Sequence, residues 1–308
     1  MRFFMSSYKH LFIVNPVAGN GIALRITKTI DMLFKELKLK YEDIDYEIVY
    51  TKEAGHATEI ARRYSSRGDY RIYAVGGDGT LNEVLNGMVG SNSSLGCIPG
   101  GSGNDFIKTI VTKFDRKRIL MNTVLGTEEE VDIGEVNGRY FINIASMGFD
   151  ASVVKNVDKF KNLKHLPNKF AYIASIFETA RNFKNLNLKM VIDGEEFQTE
   201  AFMVAIANGK YYGGGIKIAP LAEITDSLLD VLLVRNMTAV KIMKFLPKAI
   251  AGKHMGLEEV TFRRAKEVYL LSDEPVFINI DGEIEARREA HFKMDSQKIK
   301  FIKPKNSF

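Results

Sequence analysis

The sequence has a single cysteine, Cys97, among 308 residues. One cysteine excludes an internal disulfide and fits a reducing compartment, and its place in the apolar run LGCI indicates a buried side chain. No stretch approaches the roughly 18–20 apolar residues of a membrane-spanning helix. The first ten residues, MRFFMSSYKH, are too short and polar for a signal peptide. We therefore expect a cytoplasmic protein that can touch the inner face of the membrane without crossing it.

A strong charge of one sign is also missing. The net charge of +5 suits an anionic ligand or membrane surface, but the excess is too small and too scattered to indicate nucleic-acid binding. The sequence also lacks the G-x-x-x-x-G-K-[ST] motif of P-loop enzymes. Residues 19–24 read G-x-G-x-x-L without a third glycine, and the next predicted strand ends in Thr51 rather than an acid. A hydride-transfer Rossmann enzyme is therefore disfavoured.

Three glycine-rich turns follow predicted strands in the first part of the chain. They occupy residues 15–21, 76–80 and 99–105, and each precedes a helical pattern. The central turn, Gly76-Gly77-Asp78-Gly79-Thr80, has three glycines in its first four positions, which is more than a plain strand–helix turn needs. Successive backbone N–H groups in such turns bind anions. Because parallel strands end at one edge of a sheet, we expect the three loops to converge on a phosphate group.

The second part of the chain, after about Gly126, is rich in predicted strands. These strands cover residues 130–136, 139–145, 188–192, 200–207, 229–234, 258–262, 267–271 and 276–280. The pairs Asn137-Gly138, Asp193-Gly194 and Asp281-Gly282 indicate hairpin turns. Helices are predicted at 169–183 and 239–253, and the final strand, 298–303, can stay here or return to the first domain.

The fold class that we predict has two domains. Residues 1–127 form an α/β nucleotide-binding domain with a three-layer parallel sheet, to which 295–308 can return. Residues 128–294 form a β-rich antiparallel sandwich. In this second part, residues 155–169 and 239–253 are both basic and apolar. That combination is typical of membrane-interfacial segments and equally of solvated helix faces above a buried stripe.

Two acidic groups lie in the second part. Asp226 and Asp230 follow a run of three glycines, although a lone aspartate in a turn is usually a turn former. Asp281 and Glu283 lie on the same side of the chain if the triplet Asp281-Gly282-Glu283 is extended, and the alternative is a hairpin tip. Beside a phosphate-binding edge, this triplet is a candidate general base or Mg²⁺ site.

These motifs together resemble, over nearly the whole chain, the bacterial soluble lipid kinases of the diacylglycerol kinase catalytic-domain family, within the NAD kinase/diacylglycerol kinase-like superfamily. The matching pieces are NPVAG at 15–19, GGDGTLNEV at 76–84, PGGSGNDF at 99–106, GRYFINIASMGFDA at 138–151, GGGIKIAPLA at 213–222 and DGE at 281–283. GGDGT alone is shared with NAD kinases and phosphofructokinases. The ordered series is far more specific.

The resemblance implies an ATP- and Mg²⁺-dependent lipid kinase with its active site in the cleft between the domains. The implied ATP site is lined by Asn15, Pro16, Val17, Ala18, Gly19, Thr51, Gly77, Asp78, Gly79, Thr80, Leu81, Asn82, Glu83 and Ser102. Glu283 is the implied proton acceptor, with Asp281 beside it, and Asp78 is a candidate partner of the catalytic Mg²⁺. A structural Mg²⁺ is implied at Asp226 and the main-chain carbonyls of Glu223 and Leu228.

The expected acceptor is diacylglycerol, with phosphatidylglycerol or a long-chain base as alternatives, and a homodimer at the membrane surface is expected. The chain departs from the family pattern at Asn20, where some members have lysine, at Ser102, where threonine is frequent, and at Ser227, where glycine is frequent. The competing interpretations are an NAD kinase and a nucleotide-binding regulator without turnover. An NAD kinase does not explain NPVAG, the GGSGND loop or DGE.

Overall fold

The structure is a computed structural model that describes residues 9–41, 43–111, 115, 118–153, 175–176, 178–181, 183–235 and 237–305. The chain divides into two compact units, Met1–Ile133 with Asp295–Phe308 (unit 1) and Gly134–Met294 (unit 2). The predicted basic segment 155–169 and most of the predicted helix 169–183 lie outside the described residues. Within the described part of the chain, no helix combines the length and apolarity needed to span a membrane.

Unit 1 is built on a parallel sheet, as predicted. Its strands are β1 (Lys9–Val14), β2 (Asp45–Tyr50), β3 (Tyr70–Gly76) and β4 (Ser94–Pro99), in the spatial order β2–β1–β3–β4. Beyond β4, the end of the final strand, β14 (Glu283–Lys303), pairs in parallel through Lys300 with Ser94. The final strand therefore returns to unit 1, which the sequence left open.

The helices of unit 1 follow the strands. They are α1 (Ile22–Lys38), α2 (His56–Ser65), α3 (Asp78–Met88), α4 (Asp105–Ile110) and α5 (Ile119–Val124). The pattern of residues 51–67 predicts a helix after β2, but α2 begins only after Gly55, which adopts φ 82°. The amide of Thr51 instead donates to the carbonyl of Val14 (2.9 Å), which continues the sheet for one more residue.

The core of unit 1 explains a histidine that could be mistaken for a ligand. His10 of β1 stacks on Tyr73 of β3, and its Nδ1 lies 3.0 Å from the Tyr73 hydroxyl. Burial, helped by the charge of Arg71, lowers the pKa of His10 to about 3. His10 is therefore a neutral core residue, packed edge-on against Phe34 of α1.

Unit 2 is built from antiparallel pairs, as predicted. Its strands are β6 (Arg139–Phe141), β7 (Ile144–Gly148), β8 (Leu186–Ile192), β9 (Glu195–Ala201), β10 (Met203–Ala207), β11 (Leu229–Val234), β12 (Val260–Ala265) and β13 (Glu267–Ile280), together with the end of β5 (Thr127–Val136), which begins in unit 1, and the first part of β14. The order is β12–β11–β10–β7–β13–β14, and the β8–β9 hairpin pairs with β13. Helix α6 (Ala239–Ile250) follows β11 and ends three residues before the predicted end, ahead of Gly252 at φ 68°.

Three predicted hairpin turns are confirmed. Asn137, Asp193 and Asp281 adopt φ values of 48°, 46° and 49°, and the glycine after each also has a positive φ. A two-residue turn with both residues left-handed matches the twist of antiparallel strands, which is why Asn-Gly and Asp-Gly are favoured there.

Three predicted strand boundaries are wrong. The strand predicted over 139–145 is interrupted between β6 and β7, where backbone amides are hydrogen-bonded to a side chain rather than to a neighbouring strand. The strand predicted over 200–207 is divided at Phe202 into β9 and β10. The strands predicted over 267–271 and 276–280 are one strand, β13, whose pairing with β14 shifts register between Leu271 and Val276.

Candidate active site

The three glycine-rich loops of unit 1 meet at the carboxyl ends of β1, β3 and β4, as predicted. The side-chain amide of Asn15, in the first loop, donates to the hydroxyl of Thr80 in the second (3.3 Å). The amides of Gly100 and Gly101, in the third loop, donate to the carbonyl of Gly76 (2.8 and 3.0 Å). These bonds join the loops into one backbone surface.

Two glycines are required by this close approach. A Cβ added at Gly19, which also has φ 58°, would collide with the carbonyl oxygen of Gly100. A Cβ at Gly101 would collide with the Cα of Gly77. Backbones that pack this closely leave peptide groups, rather than side chains, at the surface that the three loops share.

Asp78 joins the second loop to the third. It is the first residue of α3, and its Oδ1 accepts hydrogen bonds from the backbone amides of Asp105 (2.8 Å) and Phe106 (3.2 Å) at the start of α4. Asp78 was expected in the ATP site and as a candidate partner of Mg²⁺, and sequence reasoning missed this contact. No local signal marks this contact, because its two ends lie 27 residues apart in the chain.

Two carboxylates face the same glycine in the third loop. A Cβ added at Gly103 would lie 2.9 Å from Oδ2 of Asp78 and 3.4 Å from Oδ2 of Asp105. Lys108 binds the other oxygen of Asp105 (2.7 Å). A side chain at Gly103 would therefore crowd Asp78, and the two neighbouring carboxylates offer oxygens, the ligands that Mg²⁺ prefers. The residues therefore fit a Mg²⁺ ion that arrives with nucleotide phosphates.

The start of α3 supplies an anion-binding position. Gly77 precedes the helix in an extended conformation, and the first turn contains Asp78, Gly79 and Thr80. The amides of a first helical turn have no acceptor within the helix, and the helix dipole favours negative charge there. This end of α3 lies where the loops converge.

The predicted ATP-site residues fall into two groups by exposure. The residues that are exposed or half-buried are Asn15, Pro16, Val17, Ala18, Gly19, Thr51, Gly77, Asp78, Gly79, Glu83 and Ser102. The side chains of Thr80, Leu81 and Asn82 are buried. Glu83 has another contact, because its Oε2 accepts the amide of Ala57 at the start of α2 (3.1 Å). Leu81 is therefore packed in the core and Glu83 caps α2, and their place in the ATP site stays a prediction.

In unit 2, Asp281 is buried and organises the segment between β6 and β7. Its carboxylate accepts hydrogen bonds from three successive backbone amides, those of Ile142 (2.9 Å), Asn143 (3.1 Å) and Ile144 (2.9 Å). The amide of Asp281 in turn donates to the carbonyl of Ile144 (3.1 Å). A carboxylate with this many backbone donors is held rigidly.

Glu283, unlike buried Asp281, is exposed to solvent. The triplet Asp281-Gly282-Glu283 forms a tight turn, so the extended-chain interpretation from the sequence is wrong. Glu283 is the first residue of β14, paired with Ile280, and its side chain is exposed. The side chain of Asn279 holds the turn by accepting the amide of Gly282 (2.8 Å). The turn therefore fixes the backbone at Glu283 and leaves its carboxyl group accessible.

A second buried acid lies behind this turn. Asp150 accepts a hydrogen bond from the hydroxyl of Ser146, which lies opposite Asn279 on the neighbouring strand. Burial raises the pKa of Asp150 to about 6. Hydrogen bonds from donors that include Ser146 and Asn279 stabilise the charged carboxylate and oppose this rise. Asp150 also lines an apolar cavity, and sequence reasoning included it only within a motif.

The acidic group around Asp226 already contains one cation. Arg264 contacts Asp230 through Nε (3.2 Å) and Asp226 through Nη1 (3.6 Å). Oδ1 of Asp226 accepts the amide of Leu228 (3.1 Å) across Ser227, which adopts φ 59°. Ser227 therefore tolerates the conformation that glycine would favour.

The charge balance of this group leaves room for a further cation. Burial raises the pKa of Asp230 to about 6; Arg264 opposes the rise, and Asp226 and Glu223 add to it. Oδ2 of Asp230 is buried and, within the described part of the chain, has no hydrogen-bond partner. Three acids near one arginine leave an excess of negative charge in this group. Even so, the described residues hold no set of three His, Cys, Asp or Glu side chains arranged as metal ligands.

Comparisons with known proteins show which family the chain resembles. A family model described as the diacylglycerol kinase catalytic domain matches residues 9–136. A second, described as the YegS C-terminal NAD kinase beta sandwich-like domain, matches residues 143–303. A crystal structure of a protein assigned as a diacylglycerol kinase from Bacillus anthracis strain Sterne superposes with a TM-score of 0.74 at 26% identity, covering 96% of this chain and 97% of that one.

Two curated relatives extend the likeness over almost the whole chain. The diacylglycerol kinase of Bacillus subtilis strain 168 is 29% identical over 298 residues, 95% of each protein. The diacylglycerol kinase of Staphylococcus epidermidis strain ATCC 35984 is 31% identical over 299 residues, 96% of this chain and 92% of that protein. The chain therefore belongs to the diacylglycerol kinase family of lipid kinases.

Proposed function

We propose that this protein transfers the γ-phosphoryl group of ATP, with Mg²⁺, to the hydroxyl of a membrane lipid, and that the lipid is diacylglycerol. The observation that carries the proposal is the convergence of three glycine loops at the start of α3 in unit 1. Phosphoryl transfer depends on positioning and on charge stabilisation, which fixed backbone amides supply without reorganisation.

Unit 1 binds ATP in this proposal. The amides at the start of α3 and in the loops with Asn15 and Ser102 bind the phosphates, and Thr51 and the NPVAG loop line the rest of the nucleotide site. Asp78 and Asp105 would hold the Mg²⁺, which would supply positive charge for the phosphates. Because Oδ1 of Asp78 already binds two backbone amides, the same carboxylate fixes the third loop in place.

Unit 2 supplies the base. Glu283 accepts the proton of the lipid hydroxyl as its oxygen attacks the γ-phosphorus and ADP leaves. General-base catalysis of this kind contributes about 10²–10⁴-fold. Asp281 acts beside it by fixing the turn and the segment between β6 and β7, which supports the position of Glu283.

A structural Mg²⁺ is proposed at Asp226, with the carbonyls of Glu223 and Leu228. The support is the excess of negative charge and the unpartnered buried oxygen of Asp230.

The homodimer and the cytoplasmic, membrane-associated location stay predictions. Phosphatidylglycerol and long-chain bases stay alternative acceptors, since each carries a hydroxyl on an apolar body.

A labelled-ATP assay tests the acceptor. The protein is incubated with γ-labelled ATP and Mg²⁺ in mixed micelles that contain diacylglycerol, phosphatidylglycerol or a long-chain base, with soluble NAD in a fourth reaction. We expect label in the diacylglycerol product, lost when Mg²⁺ is chelated. Label in another lipid would correct the acceptor, and label in NAD would replace the proposal by an NAD kinase. ATP binding without transfer to any acceptor would indicate a regulator.

A further inference from the structure

Helix α6 presents an apolar surface to solvent. Val240, Met243 and Ile250 have exposed fractions of 63%, 59% and 53%. Exposed Lys244 and Lys248 flank them, and we name these five residues the α6 surface. Single exposed apolar residues are common, but three on one 12-residue helix require an explanation.

The other side of α6 is already packed. Ile242 and Ala249 are buried, and Phe245 and Leu246 join them in lining the apolar cavity of unit 2. Phe149 and Phe202 also line the cavity, and Asp150 is its charged lining residue. An amphipathic surface helix needs one apolar side for its core, whereas α6 has apolar side chains on both sides.

The charge of α6 indicates what covers the exposed side. Its sequence, AVKIMKFLPKAI, contains three lysines and no acidic residue, and Lys253 follows shortly after its end. Lys241 is paired with Glu259 (2.8 Å), so that neighbouring acid is already neutralised. An apolar centre flanked by lysines is complementary to an anionic lipid surface, where the side chains insert and the ammonium groups meet the headgroups.

We propose that the α6 surface docks on an anionic lipid bilayer. The inference rests on the proposed function in one respect, namely that the acceptor is a membrane lipid. Docking by α6 would bring a helix that forms one wall of the apolar cavity against the bilayer. A lipid leaving the bilayer would then meet an apolar path beside the helix rather than open water.

Vesicle sedimentation tests the docking. Wild-type protein is mixed with phosphatidylcholine vesicles that contain or lack about one-third phosphatidylglycerol, and the bound fraction is measured at low and high salt. We expect binding to the anionic vesicles that weakens with salt. The double variant Met243→Glu/Ile250→Glu should bind at least tenfold more weakly, and Lys244→Glu/Lys248→Glu should lose the dependence on anionic lipid.

The matched control is Met32→Glu. Met32 lies on α1 of unit 1 with an exposed fraction of 58%, almost that of Met243, and its replacement should leave vesicle binding unchanged. Thermal melting verifies that each variant is folded. Turnover of a short-chain, water-soluble diacylglycerol should be unchanged in the α6 variants, because neither Met243 nor Ile250 lines the cavity.

Three results would overturn the docking. One is equal vesicle binding by wild type, Met32→Glu and the α6 variants. Another is equal binding to neutral and anionic vesicles. A third is conversion of a wild-type dimer to monomers by Met243→Glu/Ile250→Glu without a change in vesicle binding, since the surface would then be an interface between two copies. Loss of kinase activity on every lipid, with α6-dependent vesicle binding intact, would instead reject the proposed function and leave the docking standing.

Discussion

Replacing Glu283 with glutamine is expected to reduce lipid-dependent turnover by about 10²–10⁴-fold, while the Kd for Mg-ATP stays near its wild-type value. The substitution keeps the size and shape of the side chain but removes its ability to accept a proton. The side chain is exposed at the start of β14, so little folding energy depends on its charge. Initial rates with diacylglycerol micelles and calorimetric titration with Mg-ATP measure the two quantities. Retained turnover would remove Glu283 from its proposed role.

Asp281→Asn is the informative comparison with Glu283→Gln. Both substitutions replace a carboxylate by an amide of the same shape, and the two positions are only two residues apart. An asparagine side chain has a single acceptor oxygen and an NH₂ group, so it cannot accept the amides of Ile142, Asn143 and Ile144 together. Leaving buried donors unsatisfied costs about 1–3 kcal/mol each. We therefore expect a lower Tm and a lower turnover in Asp281→Asn, against an unchanged Tm in Glu283→Gln.

Replacing Asp78 with alanine is expected to raise the KM for ATP by at least about tenfold, a loss near 1.4 kcal/mol of binding free energy. The substitution removes a proposed Mg²⁺ ligand, and it removes the acceptor that ties the amides of Asp105 and Phe106 to the start of α3. Asp78→Asn keeps an acceptor oxygen and should restore the Tm more than it restores the use of Mg-ATP.

The control for Asp78 is Asp45→Ala. Asp45 is an exposed acid in the same unit, paired with Lys38 at 3.3 Å, and such surface pairs contribute little. The KM of the Asp45→Ala variant for ATP should match the wild-type value in steady-state assays at saturating lipid. An unchanged KM in Asp78→Ala would reject the assignment of Asp78 to the ATP site.

The sequence predicted the features whose cause is local. Glycines after apolar strands predicted the three loops, since a turn with positive φ and close backbone approach needs residues without Cβ. Asn137-Gly138, Asp193-Gly194 and Asp281-Gly282 predicted their hairpins for the same reason. The parallel and antiparallel sheets followed from the spacing of strands, helices and turns.

The features that the sequence missed depend on partners far away in the chain. The break between β6 and β7 is caused by Asp281, which lies 139 residues after Ile142. The contact of Asp78 with α4 joins residues 27 apart, and Arg264 reaches Asp230 from 34 residues away. Such contacts exist only once the sheet has assembled, so no local pattern predicts them.

The two basic and apolar segments illustrate the same limit. The pattern of residues 239–253 fits an interfacial helix and a solvated one equally well, and the packed inner side of α6 is compatible with both interpretations. The exposed apolar side chains of α6, which only the folded structure shows, favour the interfacial one. The segment 155–169 lies outside the described residues, so its role stays a prediction.

Hydrogen exchange with and without Mg-ATP tests the central claim most directly, because the claim concerns backbone amides. Mass spectrometry of the wild-type protein at saturating Mg-ATP should show slower exchange in all three loops, residues 15–21, 76–80 and 99–104. The region of α6 should be unaffected by nucleotide. Calorimetric binding of Mg-ATP with unchanged exchange in these loops would contradict the account, because the triphosphate would then be bound elsewhere.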